Sequence, residues 1–482
     1  MIDDLWSQIS LFLKDHSSDE KGKEFIVSML VFRFASLEFE REYALQKAEK
    51  PGCEEQEYRY WKKGGIYFPP YLRWENLKEE KHYNLRKSVY NAMCIINQSD
   101  SKYKGLVCPE SVLGDFDDNE ISQIVYRMEQ ISYSGDDQHG FNFSQFYEYF
   151  IAHFIPRTIK QAGQYATPRQ IADLVIELLE PKGGTIYDPC CGSGSMLLYA
   201  ADYMRKKNRG FRLYGQEESR ESWKTARMNL LLRGIDADLG DVPANSIRLD
   251  IHEKLKADYV LANPPFREFG WSKEQLVNDR RWKYGFPSGK RDDFIWMQHM
   301  LYHLDDHGTM GAIFSNRILA SRHNEERRIR AALLQDDVLE AIITFPPGMF
   351  YATKVSVSLW ILKKRKSEIC RNKILFVDAR RMGKTEYGYT RLSDSDRKRV
   401  VEVYQNYENG IEDDQPEFCR QVAVKDIETE NYSLAPERYM IHQHQRQPEL
   451  EELDLYERQL ERELRDLLEE NGVTLNRILK GK

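Results

Sequence analysis

From Arg157 to about residue 440, short runs of β-branched and apolar residues alternate with amphipathic helical periods, and few architectures accommodate that rhythm. The strand candidates are Thr185 to Tyr187, Phe211 to Tyr214, Asp258 to Leu261, Met310 to Phe314, Leu339 to Thr344, Val355 to Leu362 and Ile374 to Val377. Between them lie helical patterns over Pro168 to Leu179, Ser195 to Lys206, Ser219 to Leu232 and Asp293 to Leu304. The alternation predicts an α/β fold with a Rossmann-like, doubly wound, mostly parallel sheet. Ligands are then expected at the carboxyl ends of the strands.

At 482 residues the chain is too long for one hydrophobic core, so flanking domains are expected. Residues 1–156 read as an α-helical domain, with apolar residues three and four apart at Phe25, Met29, Leu30, Phe32 and Phe34. Gly64, Gly65, Pro69 and Pro70 interrupt it between Trp61 and Trp74 with a loop or short strands. Residues 157–440 form the α/β domain and 441–482 a terminal helix. In that helix Leu450, Leu453, Leu460, Leu464 and Leu467 fall on a and d heptad positions, interrupted only by Glu457. About three heptads are marginal alone, so the stripe must pack on its own chain, a copy of itself or another protein.

Nothing resembles a signal peptide or an apolar stretch able to span a bilayer, which predicts a cytoplasmic protein without membrane association. Seven scattered cysteines without CxxC spacing indicate neither a disulfide framework nor a zinc site. With 70 Lys and Arg against 77 Asp and Glu, the net charge of −7 leaves no global excess to neutralise phosphates. Nucleic-acid contacts must therefore come from a partner or from local basic faces. Arg280, Arg281, Lys283, Lys290 and Arg291 form one such cluster, which an ordinary solvated loop would equally explain.

Two segments carry chemistry. The first, Asp188-Pro-Cys-Cys-Gly192-Ser193-Gly194-Ser195, follows a short strand and opens a helix. Its glycines permit a sharp turn and close approach of a ligand, and the helix start offers free N–H groups; a plain tight turn would look the same. It is neither GxGxxG nor a GKS/GKT loop, so neither a pyrophosphate nor a triphosphate is the natural guest. The next strand ends in Glu217, whose carboxylate suits a ribose diol, although an acid at a helix start is also a common solvated charge. Glu217 is preferred to Glu218 because consecutive strand residues face opposite ways.

The second segment, Asn263-Pro264-Pro265-Phe266, follows the apolar strand at Asp258. The prolines stiffen the backbone and extend Asn263, so that its amide and the Pro264 carbonyl offer fixed acceptors at one spot. Phe266 would add a stacking surface for a planar base bearing an amino group. His299, His303 and His307, four apart, carry no accompanying Glu as in HExxH, and no metal is expected there.

DPxxGSG followed by NPPF resembles the adenine-specific amino-methyltransferases. Further segments narrow the resemblance to the modification subunits of type I restriction-modification systems. These are Gln161 to Arg169, Trp282 to Gly285, Phe345 to Thr353 and Asn431 to Leu434. The resemblance implies an S-adenosylmethionine-dependent methyltransferase fold and transfer of a methyl group to the N6 of a flipped-out adenine in double-stranded DNA. It also implies that Gln164, Tyr165, Ala166, Thr167, Pro168 and Arg169 lie across the cofactor. Ser193, Gly194 and Ser195 would hold its methionine part and Glu217 its ribose, with Asp188 and Gly192 also binding the cofactor. Asn245 stands where the family often has an acid, and can still bond an adenine edge. Phe266, with Phe350 or Tyr351 as a second wall, would stack on the target base. The implied partners are a specificity subunit bound through the terminal helix, a second modification subunit and a restriction/translocase subunit.

The alternatives are a stand-alone DNA methyltransferase, which would need its own sequence-reading domain, a protein-glutamine methyltransferase, which would have little use for the helical front domain, and a non-enzymatic scaffold of the same fold, against which both motifs being intact argues. Substituting Gly194 with Asp is expected to occupy the ligand's space.

Overall fold

The computed structural model describes residues 7, 9–10, 19–49, 51–52, 54–61, 64–78, 84–99, 101–113, 116–129, 131, 167–265, 276–287, 292–350, 355–386 and 389–440. The terminal heptads, Gln164 to Ala166, Phe266 and Tyr351 lie outside them.

The front of the chain is helical, with α1 (Asp19–Glu49), α2 (Leu85–Gln98) and α3 (Asp118–Met128). Phe25, Met29, Leu30, Phe32 and Phe34 are all buried, as their spacing predicts, and Phe32 meets Trp74 edge-on at 5.1 Å. Helix α3 starts at a capping box in which Asp117 and Glu120 bond each other's backbone N–H. Between Gly64 and Lys78 the chain forms short helical turns, with no strand among the described residues.

Beyond residue 166 the alternation becomes α4 (Arg169–Leu179), β1 (Gly184–Asp188), α5 (Ser195–Lys206), β2 (Phe211–Gly215), α6 (Arg220–Leu231), β3 (Ala237–Asp238), β4 (Ala257–Ala262), α7 (Asp293–His303) and β5 (Leu304–Ser315). There follow α8 (Asn324–Gln335), β6 (Leu339–Thr344), β7 (Val357–Lys363), β8 (Lys373–Asp378), the hairpin β9 (Lys384–Glu386) and β10 (Tyr389–Arg391), α9 (Asp394–Glu408), β11 (Cys419–Ala423) and α10 (Val424–Thr429). Nine strands make one sheet in the order β11-β8-β6-β7-β5-β4-β1-β2-β3. Two of them break the parallel pattern: β7 runs against β5 and β6, and β11 against β8. The link from β6 to β7 holds no helix among its described residues, and a strand that returns without a crossover must run antiparallel.

Alternate residues of each strand feed two cores, as a pleat requires. Ile186, Leu261, Ile313 and Ile343 pack under α4, α5 and α9, while Tyr187, Val260, Ala312 and Ile342 pack under α7 and α8. The helical front shares its core with α6, which contributes Met228 and Leu231. Arg227 secures the join by donating to the carbonyls of Lys104 and Lys102 at 2.7 and 2.9 Å. No helix among the described residues is long and apolar enough to cross a membrane.

Candidate active site

Both sequence segments reach the carboxyl edge of the sheet on neighbouring parallel strands, β1 and β4. Beyond β1, the loop from Asp188 is tied by its own side chain, which accepts from Cys190 N at 3.0 Å. Asp188 is almost wholly buried, and burial, with the nearby Glu217 charge, pushes its carboxyl up to about 7 despite that hydrogen bond.

The two glycines of the loop differ. Gly192 has φ +55°, and a side chain there would meet nothing within 4 Å, so the backbone faces open space. Gly194 has φ +78°, and its missing Cβ would lie 3.2 Å from that of Ala226 on α6. Gly194 therefore allows α5 and α6 to approach. Contrary to the sequence expectation, an Asp at 194 would first strike α6, and Gly192 is the residue that borders the room for a ligand. Ser193 and Ser195 join through their hydroxyls at 3.0 Å.

Glu217 is turned inward, 8% exposed, and accepts from Gly192 N at 2.9 Å and Ser219 N at 2.7 Å. Burial raises its carboxyl above the usual range even against those hydrogen bonds. A carboxylate has lone pairs to spare beyond two such bonds. Glu218 is exposed and takes Asn245 Nδ2 at 3.1 Å, while Asn245 Oδ1 accepts from the backbone N–H groups of Ile247 and Arg248. Asn245 thus braces its own turn beside the end of β2.

Asn263 follows β4 directly. Its Nδ2 donates to Thr167 Oγ1 at 3.1 Å, which leaves Oδ1 as the free end of the amide. That oxygen is buried and has no hydrogen-bond partner among the described residues. Burying an acceptor without a donor costs about 1–3 kcal/mol, so the oxygen is a vacant position for an N–H. Pro264 is buried and Pro265 half-buried. Pro168 caps α4, and Arg169 leans on the Tyr199 ring at 5.3 Å with its side chain largely in solvent. Phe350 is 3% exposed and packed into the core under α4, so its ring is covered in this conformation.

A polar network that sequence reasoning missed lies behind these loops. Arg281 is 7% exposed and uses all five of its N–H groups. Nε and one Nη hydrogen hold Asp279; the remaining three donate to Ser246 O at 2.6 Å, Ile247 O at 2.7 Å and His299 Nδ1 at 2.9 Å. His299 Nε2 then faces Tyr187 Oη at 3.1 Å, and His303 lies between Leu255 O and Asp250. Of the basic cluster expected around Arg281, Arg280, Arg281 and Lys283 border one cleft, although the Arg281 guanidinium is spent on internal partners. Arg281 is internal, Lys283 pairs with Asp336, and Lys290 and Arg291 lie outside the described residues. Arg280, Arg281 and Lys283 line this cleft of about 520 Å³ with Lys256, Val338 and Lys364, at the amino ends of β4 and β6, on the edge opposite Asn263.

The histidines also sit differently from expectation. The helix ends at His303, and His307 belongs to the exposed start of β5. Asp250, His299 and His303 bring ligand-type atoms within 4.8 Å of one another. Each ring nitrogen already has a protein partner, and the Arg281 guanidinium occupies the position a cation would take.

The model of the N-6 DNA Methylase family matches residues 139–448, and that of the HsdM N-terminal domain matches residues 2–128. The chain is 31% identical over 405 residues to the type I restriction enzyme HindI methylase subunit of Haemophilus influenzae, covering 77% of this chain and 89% of that one. It is 27% identical to the MjaIX methylase subunit of Methanocaldococcus jannaschii, over 80% and 71% of the two chains. The fold matches the crystal structure of a type I restriction-modification methyltransferase subunit from Streptococcus thermophilus with TM-score 0.73 and 23% identity, over 91% of this chain and 99% of the other.

Proposed function

Because this chain belongs to the N-6 DNA methylases, as a modification subunit of the type I restriction kind, and so is an adenine-N6 DNA methyltransferase, we propose that its chemistry is centred on the vacant oxygen of Asn263. An exocyclic amino group is a donor that would suit this oxygen. Thr167 holds the other end of the amide, so Oδ1 cannot rotate away without losing a hydrogen bond. An adenine inside a duplex cannot reach such a position and must be flipped out, at a cost of a few kcal/mol.

S-adenosylmethionine, when bound, supplies a methyl group on a sulfonium. The residues present fit it: Gly192 leaves open space beside the loop, and Glu217 offers spare lone pairs to a ribose diol. Ser193, Ser195 and the Asn245 turn border the same edge, and the family resemblance would lay Gln164 to Arg169 across the cofactor. Asn263 Oδ1 and the Pro264 carbonyl would each accept an N–H of the adenine amino group and turn its lone pair toward the cofactor side. Phe266, with Phe350 once uncovered, would hold the ring plane. An amide is not a base at neutral pH, so Asn263 positions and polarises, and the surplus proton leaves the nitrogen to water after transfer. The chain would work in the cytoplasm on double-stranded DNA, with a specificity subunit on its 441–482 helix, a second modification subunit and a restriction/translocase subunit.

The observation that carries this reading is the buried Asn263 Oδ1, which has no hydrogen-bond partner among the described residues. Asn263→Ala should lower transfer of tritiated methyl groups to DNA by about 10²–10³-fold, as loss of one fixed polar contact does, while cofactor affinity stays within a few-fold. Retention of most activity would overturn it.

A further inference from the structure

The geometry points to the β9–β10 hairpin as a clamp on the phosphate backbone of duplex DNA beside the base held at Asn263. It rests on the active-site reading above for its location. Lys384 and Arg391 are register partners across the hairpin and both are exposed. Residues directly opposite on an antiparallel pair share a face with Cβ atoms about 5 Å apart, and like charges there repel. Among the residues whose side chains are described, no acid forms an ion pair with either. On the other face, Thr385 and Thr390 join through their hydroxyls at 2.9 Å, with Thr390 buried.

A hairpin with three residues in each strand has little stability of its own, yet this one is fastened to the active-site edge. Thr390 N donates to Gly348 O at 2.8 Å and its hydroxyl to Pro347 O at 2.7 Å, on the loop after β6. Gln170 holds it from the other side, donating to Thr390 O at 3.0 Å and accepting from Leu392 N at 2.9 Å. Gln170 lies in the first turn of α4, three residues beyond the Thr167 that bonds Asn263. The backbone that carries the two cations is thus tied to α4 and to the loop after β6. Arg381, also exposed and without an ion pair among the described residues, lies just before the hairpin. In a chain of net charge −7, a like-charge pair anchored so firmly makes sense if an anion regularly lies across it. Phosphates of the duplex being entered are the anions at hand.

The test is the salt dependence of binding by the full chain to a labelled, arbitrary duplex of about 30 base pairs, since phosphate contacts are indifferent to sequence. The Lys384→Gln/Arg391→Gln double variant should lower the slope of log affinity against log salt by about 2, and Arg381→Gln alone by about 1. Arg365→Gln, which removes an exposed charge at the opposite edge of the sheet, should leave the slope unchanged. An unchanged slope in the double variant, or an equal fall in the Arg365 control, overturns the proposal. Failure of the active-site reading would be seen separately, as an Asn263→Ala variant that still methylates while the hairpin slopes behave as stated.

Discussion

The guanidinium of Arg281 donates to Nδ1 of His299 at 2.9 Å, and this contact decides where the ring proton sits. Arginine has only donors, so Nδ1 must accept, and the proton goes to Nε2, facing Tyr187 Oη. Tyr187 is the residue before Asp188, and the same guanidinium holds the carbonyls of Ser246 and Ile247 beside Asn245. One side chain thus fixes the spacing between the loop after β1 and the turn that meets the end of β2.

Replacing Arg281 with Lys keeps the charge but leaves three donors for five positions. Those five donors serve four acceptors, the part-exposed Asp279 carboxylate and the buried Ser246 O, Ile247 O and His299 Nδ1, so an ammonium leaves at least one of the four without a partner, at about 1–3 kcal/mol where that one is buried. Urea unfolding should show a loss of stability in that range. Cofactor affinity should fall more than affinity for DNA if the displaced loops border the cofactor as proposed. Equal losses for both ligands would mean that Arg281 acts on the fold alone.

His299 gives a pH signature. Complete burial, with the charges of His303 and Arg281, holds its pKa well below the usual 6.5. Below pH 6.5 the unfolded chain takes up a proton that the native ring refuses, so stability is lost as the pH falls from there. In His299→Gln, whose amide can accept from Arg281 and donate to Tyr187, that acid-side loss should shrink. Thermal melts between pH 5 and pH 7 would show it (about these limits). Parallel curves for the two proteins would remove His299 from the account.

Asp188 should act with the opposite sign. The unfolded carboxyl ionises near its ordinary 3.8, whereas the native one, buried, holds its proton to about 7. Between those values the native state binds more protons, and stability declines as the pH rises. The full effect is of order 4 kcal/mol above pH 7, at about 1.4 kcal/mol for each tenfold change in ionisation. Asp188→Asn should remove this decline, so its stability relative to the parent should rise with pH, as denaturant titrations at pH 5 and pH 8 (about these values) would register.

The central strands were readable because each is an apolar run bounded by helical periods. Observed β1, β2, β4 and β6 differ from expectation by a residue or less at each end. What escaped has physical reasons. Strand β3 has two residues, too few for a periodicity, and the hairpin strands have three, held by Gln170 from elsewhere in the chain. Helix α9 is mostly polar, and only Val400, Val403, Tyr404 and Tyr407 mark its buried face. At the site, the positions of Asn263 and Glu217 followed from strand ends. The role of Arg281 did not, because within its sequence neighbourhood it resembles a surface cation. The local hint was Asp279, two residues earlier, which fits a guanidinium already paired.

The glycine loop supplies the final test, since its two glycines should fail in different ways. Both have positive φ, so any L-residue costs about 1–2 kcal/mol in backbone strain. At Gly194 an alanine also meets Ala226 at 3.2 Å, and α5 and α6 must separate by a few tenths of an ångström. Gly194→Ala should therefore destabilise the chain beyond the strain alone, with cofactor affinity following the fraction folded. At Gly192 a side chain enters open space, so Gly192→Val should cost little more than the strain in stability yet lower cofactor affinity at least tenfold, because it fills the room beside Glu217. Calorimetric titration with S-adenosylmethionine, paired with urea unfolding of both variants, separates the two. Full affinity in folded Gly192→Val would mean that the cofactor does not lie against this turn, and the assignment of Ser193, Ser195 and Glu217 would fall with it.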